Sequence, residues 1–541
     1  MRGTAYSVGD YNQEKLSLQR IKQNEMNFFT SIRPNIGILL ALLAGVALAC
    51  SSCNRNSGPA PYQAFPTTDA FVERVFTDTT DFYHITPHTR QSISSELPIG
   101  VFDSGTGGLT VLDALLGFDH FDLSKGAYHE AGDGLRDFAG EQFIYFGDQA
   151  NMPYGNYPSM GKTTFLEELI LRDALFLLGG NYYLNPGDDH WQTGKPPVKM
   201  IVIACNTATA YGKEKIEGML SQAGIPVKVT GVIDAGVKGA LACFGKEESG
   251  TVAVMATAGT VSSCGYVSGF HHHRELLGYT GEFDIIQQAG YGIAEAIDEE
   301  PGFINRQATR VREQYQGPSF RNPDWQISRD LMPVYNFNME GNALLLEKEG
   351  DEWTSIQLNS AENYIRYHLV HLCEQLKNKP VSQPLKVLVL GCTHYPFQVS
   401  AFRSILQELR ELKSNGEFVY RHLLGDTITL VDPAVNTARE VHAWLMENGL
   451  INTRPPAPAH QFYISIPDSG NQSADLDPYG NFEYAYKYSR NVNQPYDTRP
   501  VPMGKKTVQP DILIRLERQL PEIYGMIRAF ETYSDSLEAT R

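Results

Sequence analysis

The sequence is poor in positive charge for its size. Its 541 residues contain 45 lysines and arginines against 62 aspartates and glutamates, which gives a net charge of −17 at pH 7. Nucleic-acid binding relies on basic side chains that neutralise phosphates, so this charge balance argues against nucleic acid as a partner. A chain of this length is expected to form two or more domains.

Cysteines are few, and the common cofactor motifs are missing. The seven cysteines lie at positions 50, 53, 205, 243, 264, 373 and 392, and their spacing suggests neither a zinc site nor a disulfide scaffold. The glycine-rich turn after Asp103 lacks the Lys-Ser/Thr pair of a P-loop and the full G-x-G-x-x-G spacing, which argues against a nucleotide cofactor. The sequence therefore predicts neither a metal nor a cofactor.

Long hydrophobic runs are also scarce. Residues 36–49 form an apolar run of fourteen residues, fewer than the roughly 20 that a membrane-spanning helix needs. The run fits the hydrophobic region of a signal peptide. It ends in Ala-Leu-Ala-Cys at Cys50, which resembles a bacterial lipobox. We therefore expect a lipid anchor on Cys50 and a lipoprotein of the bacterial cell envelope that faces the periplasm. A cytoplasmic enzyme with an unprocessed N-terminus is the alternative.

Two similar stretches organise the rest of the chain. Residues 198–209 read VKMIVIACNTAT and residues 385–397 read LKVLVLGCTHYPF. In each, a run typical of a buried strand is followed by a small residue and a cysteine, Cys205 or Cys392. Such runs predict parallel sheets covered on both faces, whose ligands bind beyond the carboxyl ends of the strands. Two thiols at such an edge suggest one substrate held between two proton carriers.

Other strand and helix patterns alternate along the chain and predict an α/β fold with doubly wound parallel sheets. Asp103 and Ser104 follow the first predicted strand, where either catalysis or helix capping and turn formation could use them. Tyr154 lies in a Pro-Tyr-Gly turn and, taken alone, is typical of a packing residue. The residues after Cys205 and Cys392 start helices, so we expect a helix N-terminus to lower the pKa of each thiol.

Five segments match one family pattern in order. They are GVFDSGTGGLTV, YFGDQANMPYG, VIACNTATA, ATAGTV and LGCTHYPF. Together they resemble the signatures of the cofactor-independent glutamate racemases, and the two cysteine motifs are the most specific of them. The resemblance implies an isomerase with its active site in the cleft between two α/β domains. Family members supply D-glutamate for cell-wall peptidoglycan, and a homodimer is left open.

The resemblance also implies roles for individual residues. Cys205 and Cys392 would be the two acid/base thiols, acting on D-glutamate and L-glutamate respectively, with Asp103 and His394 assisting them. Substrate-binding or supporting positions of the family fall on Ser104, Tyr154, Gly155, Asn206, Thr207, Thr257, Thr260 and Thr393. The family's acidic residue after the threonine pair has its nearest match in Asp298.

The motifs and composition divide the chain into five parts. These are a signal-peptide-like segment (1–49), a tether (50–96), a first racemase-like domain (97–232), a second one with an insertion (233–427), and a return to the first domain with a C-terminal extension (428–541). The tail beyond residue 450 shows no catalytic signal. Two alternatives stay open, an aspartate racemase or related isomerase and an amino-acid-binding lipoprotein without catalysis. The HYP sequence after Thr393 favours glutamate, and the intact thiol pair counts against a pure binding protein.

Overall fold

The computed structural model describes residues 70–85, 93–129, 132–350, 352–379, 381–454, 460–468, 470–471, 473–477 and 480–539. They belong to one compact unit, Ala64–Arg541. The predicted signal-peptide segment, Cys50 and part of the predicted tether lie outside the described residues. Within the described ranges, no helix combines the length and apolar character needed to cross a membrane.

The strands are β1 (Ile99–Asp103), β2 (Phe121–Asp122), β3 (Ala127–Tyr128), β4 (Phe143–Gly147), β5 (Met200–Ile203), β6 (Lys228–Gly231), β7 (Gly250–Ala256), β8 (Phe283–Ala289), β9 (Leu344–Glu349), β10 (Glu352–Leu358), β11 (Leu385–Gly391), β12 (Lys413–Ser414), β13 (Glu417–Phe418), β14 (Leu424–Val431), β15 (Gln461–Pro467) and β16 (Thr498–Pro502).

The α-helices are α1 (Ala70–Thr77), α2 (Leu109–Leu116), α3 (Asn156–Ser159), α4 (Thr163–Leu178), α5 (Asn206–Ala223), α6 (Val232–Leu241), α7 (Ala258–Ser262), α8 (Gly265–Leu276), α9 (Ile293–Ile297), α10 (Met332–Tyr335), α11 (Ala361–Asn378), α12 (Val399–Glu411), α13 (Pro433–Glu447), α14 (Tyr484–Ser489), α15 (Pro510–Gln519) and α16 (Pro521–Ala539). Short 3₁₀ helices occupy Gln149–Asn151 and Tyr395–Gln398.

The first sheet has the strand order β16-β15-β4-β1-β5-β6. Its strands run parallel except β16, which is antiparallel to β15 at the edge. Strands β1, β4 and β5 are buried along their whole length, because a parallel sheet covered on both faces requires apolar side chains in both directions. Helices α2, α4, α5 and α13 contribute to the surrounding core.

The second sheet has the order β14-β11-β7-β8, and all of its strands are parallel. Successive residues of β7 point to opposite faces of the sheet: Ala253 and Met255 join one core with α11 and α12. Val252 and Val254 join the other core with α6 and α8. Helices therefore cover both faces, and the predicted fold class of two α/β domains with parallel sheets is confirmed.

The chain crosses between the sheets twice. It passes from β6 through α6 into the second sheet, and after β14 it returns through α13, which packs against α2 and α6. The predicted boundary at residues 427–428 falls inside β14, so the return begins after Val431. The tail then adds β15 and β16 to the first sheet.

Several local predictions differ from the structure. Part of the predicted tether is the folded helix α1, whose Phe71 and Val75 are fully buried; this four-residue apolar spacing is the signal of a packed helix face. The apolar run over residues 227–233 predicts one strand, but β6 ends at Gly231 and α6 begins at Val232. The amphipathic pattern over residues 512–533 predicts one helix, but the structure has two helices separated before Pro521, because proline interrupts the helical hydrogen bonds.

Candidate active site

Two free cysteines lie at the carboxyl ends of parallel strands. Cys205 follows β5 of the first sheet after one residue, and Cys392 follows β11 of the second sheet directly. Both are buried, with 7% and 6% of their surface exposed. The strand direction therefore delivers each thiol to the edge at which open α/β sheets bind their ligands.

The Cys205 thiol belongs to the start of helix α5. It caps the helix, because its Sγ accepts a hydrogen bond from the Ala208 backbone N–H at 3.4 Å, and it lies 3.7 Å from Ser104 Oγ. Burial raises the pKa of Cys205 and the nearby Asp103 carboxylate raises it further, against the lowering effect of these hydrogen bonds. The start of α5 thus lowers the pKa of Cys205 as expected, but burial outweighs this effect and the net shift is upward.

Asp103 serves the glycine-rich turn that follows β1. Its Oδ2 accepts the Gly108 backbone N–H at 2.8 Å, which is the turn chemistry that the sequence allowed. The same carboxylate is close enough to act electrostatically on Cys205. The predicted role of Asp103 in the turn is therefore confirmed, and its assistance to Cys205 stays a prediction.

The Cys392 thiol is linked to a histidine and an aspartate. Its Sγ lies 3.6 Å from His394 Nδ1, and His394 Nε2 lies 3.1 Å from Asp298 Oδ2. Burial alone would lower the pKa of His394, but the hydrogen bonds to Asp298 and Cys392 outweigh it and raise that pKa well above its usual value. The imidazolium cation that results stabilises negative charge on the Cys392 sulfur.

The carboxyl ends of the two sheets contact each other at two places. A Cβ placed on Gly107, in the turn after β1, would lie 3.0 Å from Thr393 Oγ1 and 3.2 Å from His394 Cε1. Across the same cleft, the Tyr266 hydroxyl on α8 donates a hydrogen bond to Asn206 Oδ1 at 3.0 Å. The carboxyl edges of the two sheets therefore meet beside the two cysteines.

A further contact between the two α/β domains involves two glycines. A Cβ on Gly259, in α7, would lie 2.6 Å from Gly155 Cα, and a Cβ on Gly155 would lie 3.3 Å from Gly259 Cα and 4.0 Å from Thr207 Oγ1. Neither glycine has a side chain, which lets the two backbones approach this closely. Gly155 and Thr207 thus lie where the two domains meet, and their roles in substrate binding stay predictions.

The threonine pair and Tyr154 have different surroundings. Thr257 caps α7 and its Oγ1 lies 3.0 Å from Thr260 Oγ1. Tyr154 is fully buried, and its hydroxyl oxygen lies within hydrogen-bond distance of Asp148 Oδ2 and Asp173 Oδ2, at 2.5 and 2.7 Å. A substrate-binding role for the Tyr154 side chain would require its hydroxyl to leave these carboxylates, so its surroundings match the packing interpretation.

The site also contains a residue that the sequence reasoning missed. Arg515, on helix α15 of the tail, pairs with Asp298 Oδ2 at 2.9 Å. The sequence around Arg515 shows only two arginines, Arg515 and Arg518, at the spacing of neighbours on one face of an amphipathic helix. A solvent-exposed helix face has the same pattern, so the sequence does not predict a role in the site. Asp298, which the sequence offers only as the nearest match to the family's acidic residue, lies beside His394.

Among the described residues, no cluster of three or more histidine, cysteine, aspartate or glutamate residues is arranged to hold a metal ion.

No protein-family model matches the chain, but curated relatives do. The glutamate racemase of Neisseria meningitidis serogroup C is 26% identical over 375 residues, which cover 69% of this chain and 90% of the relative. The glutamate racemase of Enterococcus faecalis is 25% identical over 375 residues, with 69% and 88% coverage. The resemblance predicted from the five motifs is confirmed, and about a third of this chain lies outside the match.

Solved structures of glutamate racemases are also similar to the chain. The isoform RacE1 from Bacillus anthracis has a TM-score of 0.39 and 21% sequence identity, and the match covers 68% of this chain and 88% of that one. The enzyme from Francisella tularensis, solved in complex with D-glutamate, has a TM-score of 0.38 and 20% identity, with 74% and 96% coverage.

Proposed function

We propose that this chain, which is similar to bacterial glutamate racemases over about two thirds of its length, is a cofactor-independent isomerase that interconverts L- and D-glutamate. One observation carries the proposal. Two free, buried thiols stand at the carboxyl ends of parallel strands from two different sheets, and these sheets contact each other along that edge, where Gly107 approaches Thr393 and His394. Racemisation needs such a pair, a base on one face of the α-carbon and an acid on the other.

The two thiols have different neighbours, and this difference suggests which thiol is the base in each direction. In the conversion of L- to D-glutamate that we propose, Cys392 is the base because the His394 imidazolium lies beside its sulfur, and Cys205 is the acid because burial and Asp103 favour its protonated form. The Cys392 thiolate removes the α-proton of L-glutamate, and the Cys205 thiol donates its proton to the opposite face. The products are D-glutamate, a Cys392 thiol and a Cys205 thiolate, which are the reactants of the reverse reaction.

Neutral donors surround the thiols and suit the carboxylates of an acidic amino acid. Asn206 and Thr207 lie in the first turn of α5, and Thr393 lies between Cys392 and His394. The start of a helix offers backbone N–H groups with a partial positive charge, which favours an anion there. Asn206, Thr207 and Thr393, with Ser104, are the residues that we propose to bind the substrate.

The test is racemisation by the purified protein in deuterium oxide, without added pyridoxal phosphate. Each enantiomer of glutamate is expected to convert to the other while deuterium appears at the α-carbon, because the new proton comes from a thiol that exchanges with solvent. Chiral chromatography with mass spectrometry measures both. Exchange of aspartate but not glutamate would favour an aspartate racemase, and tight binding without exchange would favour an amino-acid-binding lipoprotein.

We propose further that the protein is anchored to the bacterial envelope by a lipid on Cys50. Residues 36–49 and the Ala-Leu-Ala-Cys sequence support this proposal. Metabolic labelling with a fatty-acid analogue is expected to tag the protein in the membrane fraction, and Cys50→Ala is expected to abolish the label. Cys243→Ala, which changes a free cysteine elsewhere in the chain, is the control and keeps the label. An unlabelled, freely soluble protein with residues 1–49 intact would contradict the anchor.

A homodimer is the remaining proposal about partners, and it rests on the family resemblance alone. Analytical ultracentrifugation at two protein concentrations decides between monomer and dimer, since a reversible dimer shifts its sedimentation coefficient with concentration.

A further inference from the structure

Helix α15, the second-last helix of the described residues, contributes a cation to the half of the proposed active site that contains Cys392. Leu513 and Leu516 of this helix are buried in the core of the first sheet. Arg515, between them, extends to Asp298 beside the second sheet and pairs with its Oδ2 at 2.9 Å. The side chains of Arg515 and Asp298 are 19% and 10% exposed, so the pair is only weakly screened by water.

The ion pair ends a chain of contacts that reaches the thiol. The Asp298 oxygen that pairs with Arg515 is also the one that lies 3.1 Å from His394 Nε2, and His394 Nδ1 is 3.6 Å from Cys392 Sγ. The other carboxylate oxygen, Asp298 Oδ1, is buried and has no hydrogen-bond partner among the described residues. The orientation of Asp298 is therefore set by two contacts to one oxygen, and Arg515 makes one of them.

Acidic neighbours give the arginine a second effect. The pKa of Glu300 is raised to about 7, chiefly by burial and also by the nearby Glu295 and Asp298 carboxylates, and Arg515 opposes the rise. Burial also raises the pKa of Glu295. A cation among these carboxyl groups reduces the negative potential that a thiolate on Cys392 would otherwise feel.

We propose that Arg515 is a positioning residue for the racemase: it holds Asp298 in the orientation that keeps the His394 imidazolium against the Cys392 sulfur. The charges alternate along the four residues, from guanidinium to carboxylate to imidazolium to thiolate. This inference rests on the proposed function for the role of Cys392. It gives Arg515, in the tail of the chain, a role beside the reacting groups, although no sequence motif in the tail predicts such a role.

Two substitutions at Arg515 and one matched control test the inference. Arg515→Gln removes the charge and Arg515→Lys retains it. Arg518→Gln removes the same charge one turn further along α15, where the guanidinium is 56% exposed and pairs with Glu299 at 3.3 Å. All three variants are first compared with the wild type by thermal unfolding, so that activity is read only in folded protein.

The kinetic readout is the separation of kcat from KM for glutamate. Arg515→Gln is expected to lower kcat by about 10–100-fold with little change in KM, as is typical for the loss of an outer residue that orients a reacting group. Arg515→Lys is expected to recover part of the loss, and Arg518→Gln to match the wild type. A raised KM with unchanged kcat would show that Arg515 binds substrate directly and would overturn the positioning role.

Alkylation of the thiols tests the same inference without catalysis. In brief pulses of iodoacetamide, mass spectrometry is expected to show slower labelling of Cys392 in Arg515→Gln than in the wild type, with Cys205 unchanged. Faster labelling of both thiols would mean that Arg515 only holds the two α/β domains together. Unchanged labelling would mean that Arg515 does not act on Cys392. Either outcome overturns the inference, whether or not the wild type is active as a racemase. An inactive wild type would count against the proposed function and is a separate result.

Discussion

Cys205→Ser and Cys392→Ser are each expected to abolish racemisation of glutamate in both directions. Each direction needs one thiol as base and the other as acid, and a serine hydroxyl is too weak an acid to replace either. Loss of a positioned acid or base typically costs about 10²–10⁴-fold in rate. Chiral chromatography of reactions started from each pure enantiomer measures the loss.

Deuterium incorporation distinguishes the two thiols. Because each thiol reaches one face of the α-carbon, any exchange that Cys392→Ser retains is expected only with D-glutamate, which Cys205 serves. Any exchange that Cys205→Ser retains is expected only with L-glutamate. Near-wild-type racemisation by both variants would remove the thiols from the mechanism.

The control for these variants is Cys243→Ser. Cys243 is a free cysteine whose Sγ lies 3.4 Å from the Gly239 carbonyl oxygen at the end of α6. The Cys243→Ser variant makes the same cysteine-to-serine change away from the carboxyl ends of the strands. It is expected to leave racemisation unchanged.

Gly259→Ala is expected to lower kcat/KM by about 10²-fold while the protein stays folded. The added Cβ would lie 2.6 Å from Gly155 Cα and 3.3 Å from the Gly155 carbonyl carbon and oxygen. All three are backbone atoms, so no side-chain rotation can relieve the contact, and the two backbone segments must separate. A displacement of about 1 Å in the reacting groups is enough to cost about 10²-fold.

The matched control is Ala258→Ser, which alters the neighbouring exposed residue of α7. It is expected to retain the wild-type kcat/KM and unfolding temperature. Steady-state kinetics and thermal unfolding of both variants provide the comparison. A Gly259→Ala variant with the wild-type rate would mean that catalysis does not need the close approach of these two loops.

Much of this protein follows from short stretches of sequence. Helix α4 spans Thr163–Leu178 as its pattern predicts, and α11 begins after the cap at Ser360, whose side chain accepts the Asn363 N–H. The apolar runs before Cys205 and Cys392 predict buried parallel strands, and both runs are buried. These features depend on side-chain periodicity and capping over a few residues, so the sequence carries them locally.

The tertiary structure decided the surroundings of the reactive groups. Arg515 contacts Asp298 because α15 packs on the first sheet while the Arg515 side chain extends toward the second. These two residues are more than 200 positions apart in the sequence, so no local pattern predicts their contact. Tyr154 bonds Asp148 and Asp173 because all three are buried together. The pKa of Cys205 rises because burial outweighs the helix start that its sequence shows. Motifs thus determine which groups can react, whereas burial and long-range contacts determine their charge and orientation.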